Sequence, residues 1–400
     1  MNILFLAPRL PFPADTGGKI RTYNILKQIA LENHVHLICF SFEQLDQRYI
    51  HEFERLGIEV SLVPIKDSTL IEKIMGVLFN VLPFSIAKYK TVQMQEAIQA
   101  VLRTNAFDAI HVDHLHMSHY QDYFRGIPCM LDEHNVEYKI LERCALVEKS
   151  FLKRIFYKDQ TKKMKKFESQ KCQEFQGVFA CSLDDVVLLK ALTHGTTLFY
   201  VIPNGVDTEY FDLSEEKGLA SENSLVFTGS MDWLPNDDAI TYFCKEILPL
   251  IWDINSSVKL CVVGKSPSAA VKNLAANDQR VTVTGRVEDV RPYIVRSKIF
   301  IVPLRIGGGT RLKILEAMSM RRGIVSTTVG AEGISYSKED IALADTPDAF
   351  ARAVCDLLNA PLRVATMGEK GRALVCQEYD WNIIGDRLNT IYNETIYANK

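Results

Sequence analysis

A glycine-rich loop followed by a helix start carries the groups in this sequence that are best suited to bind an anion. The β-branched run 299–302 ends just before three consecutive glycines, and a helical pattern begins at Thr310. Glycines let backbone N–H groups approach a phosphate, and the unpaired amides of a helix's first turn add partial positive charge. Two cations and a carboxylate able to accept hydrogen bonds from a ribose diol follow. The spacing predicts a nucleoside diphosphate site, with a plain tight turn as the alternative. The residues concerned are Gly307, Gly308, Gly309, Thr310, Arg311, Lys313 and Glu316.

A second glycine loop lies near the start of the chain. Gly17 and Gly18 follow the apolar run 2–7 and precede a helical pattern at 23–30. The spacing is neither the Gly-x-Gly-x-x-Gly fingerprint nor a P-loop, and by itself it favours a structural turn. Both loops nevertheless follow predicted strands, and open α/β sheets collect ligands at the carboxyl ends of their strands. A ligand contacted by both loops would lie between two domains.

Length and composition narrow the class of protein. A chain of 400 residues exceeds one ordinary core, so we expect two domains. The sequence is 47% hydrophobic and 24% charged, which is typical of a soluble globular protein, and its net charge of −3 argues against a nucleic-acid partner. The nine cysteines occur without a Cys-x-x-Cys pair, so a zinc site or disulfide framework is poorly supported.

The apolar segments do not predict a membrane-spanning helix. The first residues resemble a buried strand rather than a signal peptide. The longest apolar stretch, 74–86, is interrupted by Asn80 and Pro83 and falls short of the roughly 20 residues that a span requires. We therefore expect a cytoplasmic protein.

Short apolar strands alternate with helical patterns along the whole chain, which predicts an α/β fold of two Rossmann-like domains with parallel sheets. A turn at Asn204-Gly205 divides this alternation into two series of strands and helices, one for each domain. We expect one domain over 1–205, a second over 206–379, and a final helix at about 380–400 that packs back on the first. The predicted strands are 2–7, 35–41, 60–64, 109–112, 129–132, 178–182 and 197–202, then 225–227, 258–263, 281–284, 299–302 and 323–326.

An ordered series of short motifs resembles a known enzyme family. The motifs are the glycines at 17–18, Val-Ile-Pro-Asn-Gly-Val-Asp at 201–207, Phe-Thr-Gly-Ser-Met at 227–231, Val-Gly at 263–264, Val-Thr-Gly-Arg at 283–286, Gly-Thr-Arg-Leu-Lys-Ile-Leu-Glu-Ala-Met at 309–318 and Val-Ser-Thr-Thr-Val-Gly-Ala-Glu-Gly at 325–333. With them the chain resembles the glycosyltransferases of family 4, whose GT-B fold has two facing Rossmann-like domains with a cleft between them. Three further segments, 11–13, 133–137 and 231–236, are similar to bacterial sugar transferases that build exported polysaccharides.

The resemblance implies roles for individual residues. Glu316 would bind the ribose, and the glycine loops would contact the diphosphate. His134 would face the transferred sugar, whereas the alternative is a histidine satisfied by Glu133 or Glu137 at a surface turn. The nearby histidines His111, His114 and His116 are expected to be structural. The implied donor-binding residues are Gly17, Gly18, Gly229, Ser230, Arg286, Val287, Gly307, Gly308, Gly309, Thr310 and Glu316.

The sequence also departs from the family pattern. Many relatives carry a glutamate eight residues before Glu316, where this chain has Gly308. Many carry an Arg and a Lys after the strand at 225–227, where this chain has 231–236 instead. We expect Arg311 and Lys313 to neutralise the leaving diphosphate in their place. The resemblance implies retention of configuration without a metal or other cofactor, and the absence of an Asp-x-Asp at a strand end fits this expectation.

A basic segment at 149–166 interleaves lysines with apolar residues such as Phe151, Leu152 and Ile155. On a helix this pattern is typical of a surface that contacts anionic lipid, and a solvated face of a domain helix is the alternative. The sequence as a whole favours a cytoplasmic glycosyltransferase that uses a nucleotide-diphosphate sugar and a glycan or lipid-linked acceptor. A nucleotide-sugar epimerase of the same fold and a non-catalytic sugar-nucleotide-binding subunit remain as alternatives.

Overall fold

The computed structural model describes residues 1–42, 44–65, 82–124, 126–212, 221–307 and 310–397. The chain divides into two compact units. Unit 1 comprises Met1–Pro203 with Ile384–Lys400, and unit 2 comprises Asn204–Ile383. The predicted boundaries at 205/206 and 379/380 lie beside these divisions. Gly308 and Gly309 fall outside the described residues, as does most of the apolar stretch 74–86.

Unit 1 is built on a parallel sheet whose described strands have the order β3-β2-β1-β4-β5-β6-β7. The order reverses between β1 and β4, so the loops that leave these two strands diverge and form a crevice at their carboxyl ends. The central strands are nearly continuous buried apolar runs, as a sheet covered by helices on both faces requires. The strands are β1 Asn2–Ala7, β2 His34–Ser41, β3 Ile58–Pro64, β4 Ala109–Asp113, β5 Cys129–Glu133, β6 Gly177–Ala180 and β7 Leu198–Val201.

Helices of unit 1 connect these strands and cover the sheet. The first helix begins at the predicted glycine pair, with Thr16 as its extended N-cap. It buries the side chains of Ile25, Leu26 and Ile29 against the sheet. Two 3₁₀ segments, Gln44–Tyr49 and Leu115–Tyr123, complete the connections. The helices are α1 Gly17–Ala30, α2 Ile50–Arg55, α3 Phe84–Ala87, α4 Val92–Thr104, α5 Glu137–Val147, α6 Phe151–Cys172 and α7 Leu183–Leu192.

Unit 2 repeats the arrangement with a second parallel sheet, whose described strands have the order β10-β9-β8-β11-β12-β13. Its order reverses between β8 and β11, and the segments 229–233 and 303–307 leave these two strands. The short last strand was not predicted, because two residues give no periodicity to recognise. The strands are β8 Ser221–Thr228, β9 Lys259–Val263, β10 Val281–Val283, β11 Ser297–Val302, β12 Gly323–Ser326 and β13 Ala342–Leu343.

The helices of unit 2 pack on one continuous core formed with this sheet. A short π-helical segment, Phe243–Ile247, joins the first two of them. The helices are α8 Leu234–Tyr242, α9 Leu248–Ile254, α10 Ala269–Asn277, α11 Arg291–Val295, α12 Leu312–Ser319, α13 Pro347–Leu358 and α14 Pro361–Glu378.

The last helix, α15 Trp381–Tyr397, returns the chain to unit 1 from Ile384 onward. The buried Tyr392 hydroxyl lies 2.5 Å from His111 Nδ1. Asn389 Nδ2 donates a hydrogen bond to the backbone oxygen of Gln28 in α1. Buried polar contacts of this kind fix the position of the helix as well as its packing.

Candidate functional site

Two glycine loops of unit 2 approach each other closely at the end of β8. The Gly229 N–H donates to the Val263 carbonyl at 2.9 Å. A Cβ placed on Gly264 would lie 1.8 Å from the Gly229 oxygen, so a side chain at that position cannot be accommodated. The backbone of the 229–231 loop is therefore held against β9 in a fixed position.

Lys313 of α12 reaches the same loop. Its Nζ lies 2.8 Å from Asn236 Oδ1 and 4.1 Å from the centre of the Phe227 ring. The Asn236 amide in turn donates to the Ser230 carbonyl at 2.8 Å. Among the described residues no carboxylate lies within salt-bridge distance of Lys313. Burial lowers the pKa of Lys313 to about 7, nearby Arg311 acts in the same direction, and Glu316 opposes them.

Glu316 lies one turn further along α12, on the same face as Lys313. Burial raises the pKa of its carboxyl to about 7, and the proximity of Lys313 offsets only part of this effect. The carboxyl is half-buried, and it has no hydrogen-bond partner in the part of the chain that the structure describes. A partly desolvated carboxyl without a partner is suited to bind hydroxyl groups of a ligand.

Arg311 and Thr310 flank the start of this helix. The helix begins at Leu312, with Arg311 as an extended N-cap, so the predicted start at Thr310 is wrong by two residues. Arg311 Nη2 lies 3.4 Å from the Val329 carbonyl, and a Cβ on Gly307 would meet it at 2.3 Å. The guanidinium therefore lies beside Gly307. Thr310 is buried and donates to the Gly333 carbonyl at 3.1 Å.

The remaining predicted residues of unit 2 are more scattered. Ser230 Oγ donates to an oxygen of Asp232. Arg286 is exposed, whereas Val287 packs against the core of the unit. The Gly285 carbonyl accepts the Gly264 N–H at 3.2 Å, which places the Arg286 loop next to the two close glycine loops. Of the predicted residues, Gly229, Ser230, Lys313 and Glu316 form one continuous region.

Unit 1 has a buried polar network at its own strand-order reversal. Asp113 at the end of β4 is fully buried and binds His134 Nε2 through Oδ1 and His114 Nδ1 through Oδ2, both at 2.7 Å. The Thr22 hydroxyl donates to the same Oδ2 at 2.9 Å. Burial alone would raise the pKa of Asp113, but the two imidazoles outweigh it and hold the pKa well below its usual range. These contacts have hydrogen-bond geometry. The ligand atoms of Asp113, His114 and His134 also lie close enough together to approach a single cation.

A buried ion pair between Arg21 and Asp132 lies next to this network. Arg21 of α1 donates to both oxygens of Asp132, at 2.7 and 3.1 Å, and to the Pro203 carbonyl at 3.1 Å. Burial opposes both charges, but their mutual attraction outweighs it, so the pKa of Asp132 is lowered and that of Arg21 is raised. Asp132 Oδ2 also lies 3.6 Å from His134 Nε2. The pair fixes α1 against the end of β5.

His134 therefore lies in a different environment from the surface turn considered as the alternative. Its side chain is nearly enclosed, and its partner is Asp113 rather than Glu133 or Glu137. Its carbonyl accepts a hydrogen bond from the Cys181 thiol at 3.2 Å. Glu168 of α6 accepts the backbone N–H groups of Glu137 and Tyr138, which fixes the turn that follows.

The predicted glycine pair lies beside these histidines. A Cβ on Gly18 would lie 3.5 Å from His114 Nε2 and 4.0 Å from His134 Nδ1. Gly17 is the exposed first residue of α1. Sequence reasoning missed Asp113 and treated His114 as structural, although both follow a buried apolar strand, which is the position where ligand-binding residues occur.

The basic segment forms most of α6, and its apolar residues divide into two groups. Phe151, Leu152 and Ile155 are exposed at the start of the helix, whereas Met164 and Phe167 are buried further along it. The later part of the helix therefore packs as a domain helix, and lipid contact at its start stays a prediction. Among the described residues no helix is both long and apolar enough to cross a membrane.

Known proteins with similar sequences share parts of this architecture. Residues 222–360 match the family model described as glycosyl transferases group 1. The chain is 26% identical over 211 residues to a GDP-mannose-dependent monoacylated α-(1-6)-phosphatidylinositol monomannoside mannosyltransferase of Corynebacterium glutamicum, covering 48% of this chain and 55% of that protein. The chain thus spans about half the length of that curated relative. It is also 21% identical over 376 residues to an uncharacterised 44.6 kDa protein in the cps region of Klebsiella pneumoniae, covering 88% of this chain and 89% of the relative.

Solved structures share the two-domain fold. Sucrose-phosphate synthase from Thermosynechococcus elongatus superposes with a TM-score of 0.75 at 15% identity, over 100% of both chains. HepE from Anabaena, in complex with UDP and glucose, superposes with a TM-score of 0.67 at 14% identity, over 98% of this chain and 99% of that one. At these identities the likeness concerns the fold, which is GT-B. Residues 222–360 thus form a region similar to glycosyl transferases group 1, within a chain of the GT-B fold.

Proposed function

We propose that the protein transfers a sugar from a nucleoside diphosphate donor to a glycan or lipid-linked acceptor. The observation that carries this proposal is the half-buried Lys313, which is held by the neutral Asn236 and has no described carboxylate as counter-ion. A desolvated cation of this kind is stabilised when an anionic ligand binds beside it. The phosphates of a nucleotide sugar would supply that charge.

Different residues of unit 2 would bind different parts of the donor. Lys313 and Arg311 would neutralise the diphosphate as it leaves, and the backbone around Gly229 and Gly307 would contact its oxygens. Glu316 would accept hydrogen bonds from the ribose hydroxyls. Arg286 and Val287 would lie beside the base. We propose that this occurs without a metal ion and with retention of configuration, as in the family 4 enzymes that the sequence resembles.

The names of the relatives support this class of donor without fixing the base. The Corynebacterium relative is named for GDP-mannose, and the HepE structure contains UDP and glucose. The Klebsiella relative is located in a cps region, which supports a role in bacterial surface polysaccharide synthesis.

The acceptor side is proposed to lie at the inner face of the cell membrane. Three exposed apolar residues at the start of α6 are surrounded by Lys149, Lys153 and Arg154. Apolar side chains among cations are suited to a surface of anionic lipid, where a lipid-linked acceptor would be found.

Donor turnover tests the proposal. The protein is incubated with UDP-, GDP-, ADP- and dTDP-sugars, with and without membrane extract, and free nucleotide and intact donors are measured. We expect one donor class to release nucleoside diphosphate, faster in the presence of extract. Donor binding without release would instead support a non-catalytic binding subunit. Interconversion of intact donors would support an epimerase.

A further inference from the structure

Polar and aromatic side chains follow three neighbouring strands of unit 1 at the carboxyl edge of its sheet. Arg9 follows β1, Phe42 follows β2, and His116 lies in the 3₁₀ segment after β4. These strands are adjacent in the order β2-β1-β4, so the three residues leave the same edge. Ligands of open α/β sheets bind in the crevice where the strand order reverses, which here lies between β1 and β4. Arg9 and His116 therefore follow the two strands that border this crevice.

Tyr89, in the connection between α3 and α4, contacts both of these residues. Arg9 Nη2 donates a hydrogen bond to Tyr89 Oη at 3.3 Å. The His116 ring lies edge-on to the Tyr89 ring, with 5.5 Å between their centres. The backbone oxygen of Tyr89 accepts a hydrogen bond from the buried Tyr120 hydroxyl at 2.6 Å. Tyr89 itself is only 7% exposed, so its hydroxyl is held in a fixed position beside Arg9.

The Arg9 guanidinium is not neutralised within the described part of the chain. Its side chain is exposed, and no described carboxylate forms an ion pair with it. The contact with Tyr89 uses a single N–H group, so other donors of the guanidinium remain available. A second cation lies nearby, since Lys88 Nζ is 4.7 Å and Arg9 Cζ is 5.9 Å from the centre of the Phe42 ring. Like charges on one ring repel each other, and an anion bound beside them would be attracted to both.

The Tyr89 hydroxyl adds a neutral donor next to the charged one. Its oxygen accepts the N–H of Arg9, and among the described residues it has no acceptor for its own hydrogen. Phosphate and carboxylate oxygens only accept hydrogen bonds, and their bonds to a guanidinium are stronger than those between neutral groups. Two adjacent donors, one of them charged, are therefore better suited to an oxyanion than to a neutral hydroxyl group.

The imidazole of His116 contributes no charge to this site. Burial lowers its pKa to about 3, and the positive charges of His114 and Arg9 act in the same direction. His116 is therefore neutral at pH 7. The positive charge at this edge of the crevice comes from the arginine and the lysine.

We propose that Arg9 and Tyr89 bind an oxyanion group of the acceptor, a phosphate or a carboxylate, with Lys88 as a second positive charge. The acceptor is then an anionic glycan or lipid-linked sugar and not a neutral one. Its assignment as acceptor rests on the proposed glycosyl transfer, in which unit 2 binds the phosphates of the donor. Binding of the oxyanion itself does not depend on that function.

Three substitutions separate the charge, the planar fork and the hydroxyl donor. Arg9→Gln removes the charge, Arg9→Lys keeps the charge without the fork, and Tyr89→Phe removes the hydroxyl while keeping the ring. Arg103→Gln, at an exposed arginine of α4, is the matched control. Arg9 is exposed and the tyrosine ring is retained, so we expect all variants to fold, which thermal unfolding checks.

The first measurement is calorimetry with inorganic phosphate and with acetate. The nucleoside diphosphate selected by the turnover assay is present at saturation, so that the donor site is filled. We expect wild type to bind at least one anion, and the tighter of the two identifies the group. Arg9→Gln should weaken this binding by at least about tenfold and Tyr89→Phe by about fivefold, with Arg9→Lys between wild type and Arg9→Gln. Arg103→Gln should match wild type. Absence of binding to wild type, or equal affinities of wild type and Arg9→Gln, would overturn the site.

A second measurement tests the assignment to the acceptor. Transfer from the selected donor is followed with the lipid fraction and the aqueous fraction of a cell extract, and the active fraction distinguishes a lipid-linked from a soluble acceptor. We expect Arg9→Gln to raise KM for the acceptor by at least about tenfold and to leave KM for the donor unchanged. An unchanged acceptor KM in this variant would refute the acceptor contact. If no donor is turned over, the calorimetry without nucleotide still decides the oxyanion site, so failure of the proposed function is distinguishable.

Discussion

Lys313 Nζ and Asn236 Oδ1 are 2.8 Å apart, so an amide and not a carboxylate holds the half-buried cation of unit 2. The amide orients the ammonium group without neutralising it. An anionic ligand bound next to Lys313 would be attracted electrostatically to this ammonium group, which no carboxylate among the described residues neutralises. This relationship favours a ligand-binding role for Lys313 over a structural one, since structural buried cations are normally paired.

Replacing the cation should weaken diphosphate binding while preserving the fold. For Lys313→Met we expect UDP or GDP, whichever the turnover assay selects, to bind about ten- to a hundredfold more weakly, because one charge-assisted contact of about 1.5–3 kcal/mol is lost. Calorimetry measures the affinity. Lys272→Met, which removes an exposed lysine of α10, is the matched control. Equal affinities of Lys313→Met and wild type for the diphosphate would show that Lys313 does not contribute to its binding.

A carboxylate at residue 236 should compete with the ligand. In Asn236→Asp the new charge pairs with Lys313, so we expect the pKa of Lys313 to rise and diphosphate affinity to fall. The variant also loses the amide donor to Ser230. Asn236→Ala, which loses the same donor without adding charge, is therefore the control. Weaker binding in the aspartate variant than in the alanine variant, measured by calorimetry, would identify competition by charge.

Much of the architecture could be predicted from sequence, because parallel strands covered on both faces are continuous apolar runs. The strand at 323–326 was predicted with the bounds that the structure has. The start of α12 was misplaced, since Arg311 adopts an extended conformation that no local pattern indicated. The helix was predicted to begin at Thr310, whereas in the structure Thr310 precedes the helix and makes a buried contact with the Gly333 carbonyl.

The candidate sites were less predictable because their partners are distant in sequence. The contact between Lys313 and Asn236 joins residues 77 positions apart, and that between Arg21 and Asp132 joins residues 111 apart. No periodicity or motif spacing encodes such pairs. His114 could have been identified from its position after β4, but its stacking on His134 requires the sheet order.

Stability should depend on pH through Glu316. Its folded-state pKa is raised from 4.5 to about 7, so between these values the folded state binds more protons than the unfolded state. Stability therefore falls as pH rises through this window. Glu316→Gln should remove this decrease, on the order of 1 kcal/mol because the carboxyl is only partly buried. Urea denaturation at about pH 5 and pH 8 measures the difference, with the exposed Glu288→Gln as control.

The Glu316→Gln substitution should also reduce donor affinity, since a neutral side-chain amide accepts weaker hydrogen bonds from ribose hydroxyls than a carboxylate does. We expect the loss to be larger for UDP or GDP than for inorganic pyrophosphate, which has no ribose. Calorimetry with each ligand measures the two losses. An equal loss for both ligands would show that Glu316 acts through Lys313 and not through the ribose.

Removing one partner of the buried Arg21–Asp132 ion pair should destabilise the folded protein. Arg21→Met leaves Asp132 buried without its guanidinium, for which we expect a destabilisation of about 3–5 kcal/mol. The double variant Arg21→Met/Asp132→Leu removes both charges and should recover most of this loss. Denaturant unfolding measures both variants. A double variant as unstable as the single one would show that the packing of Arg21, and not its charge, is what matters.

The proposed membrane contact should depend on the exposed apolar residues at the start of α6. Replacing Phe151, Leu152 and Ile155 by serine removes apolar surface that is already in solvent, so the fold should be unaffected. We expect co-sedimentation with vesicles containing anionic lipid to fall by at least about tenfold, since each buried side chain contributes about 1.5–3 kcal/mol. Replacement of Lys162, Lys163, Lys165 and Lys166 by glutamine should weaken binding less, because the helix is buried at Met164 and Phe167. Vesicle binding that survives both sets of substitutions would place the membrane contact elsewhere on the protein.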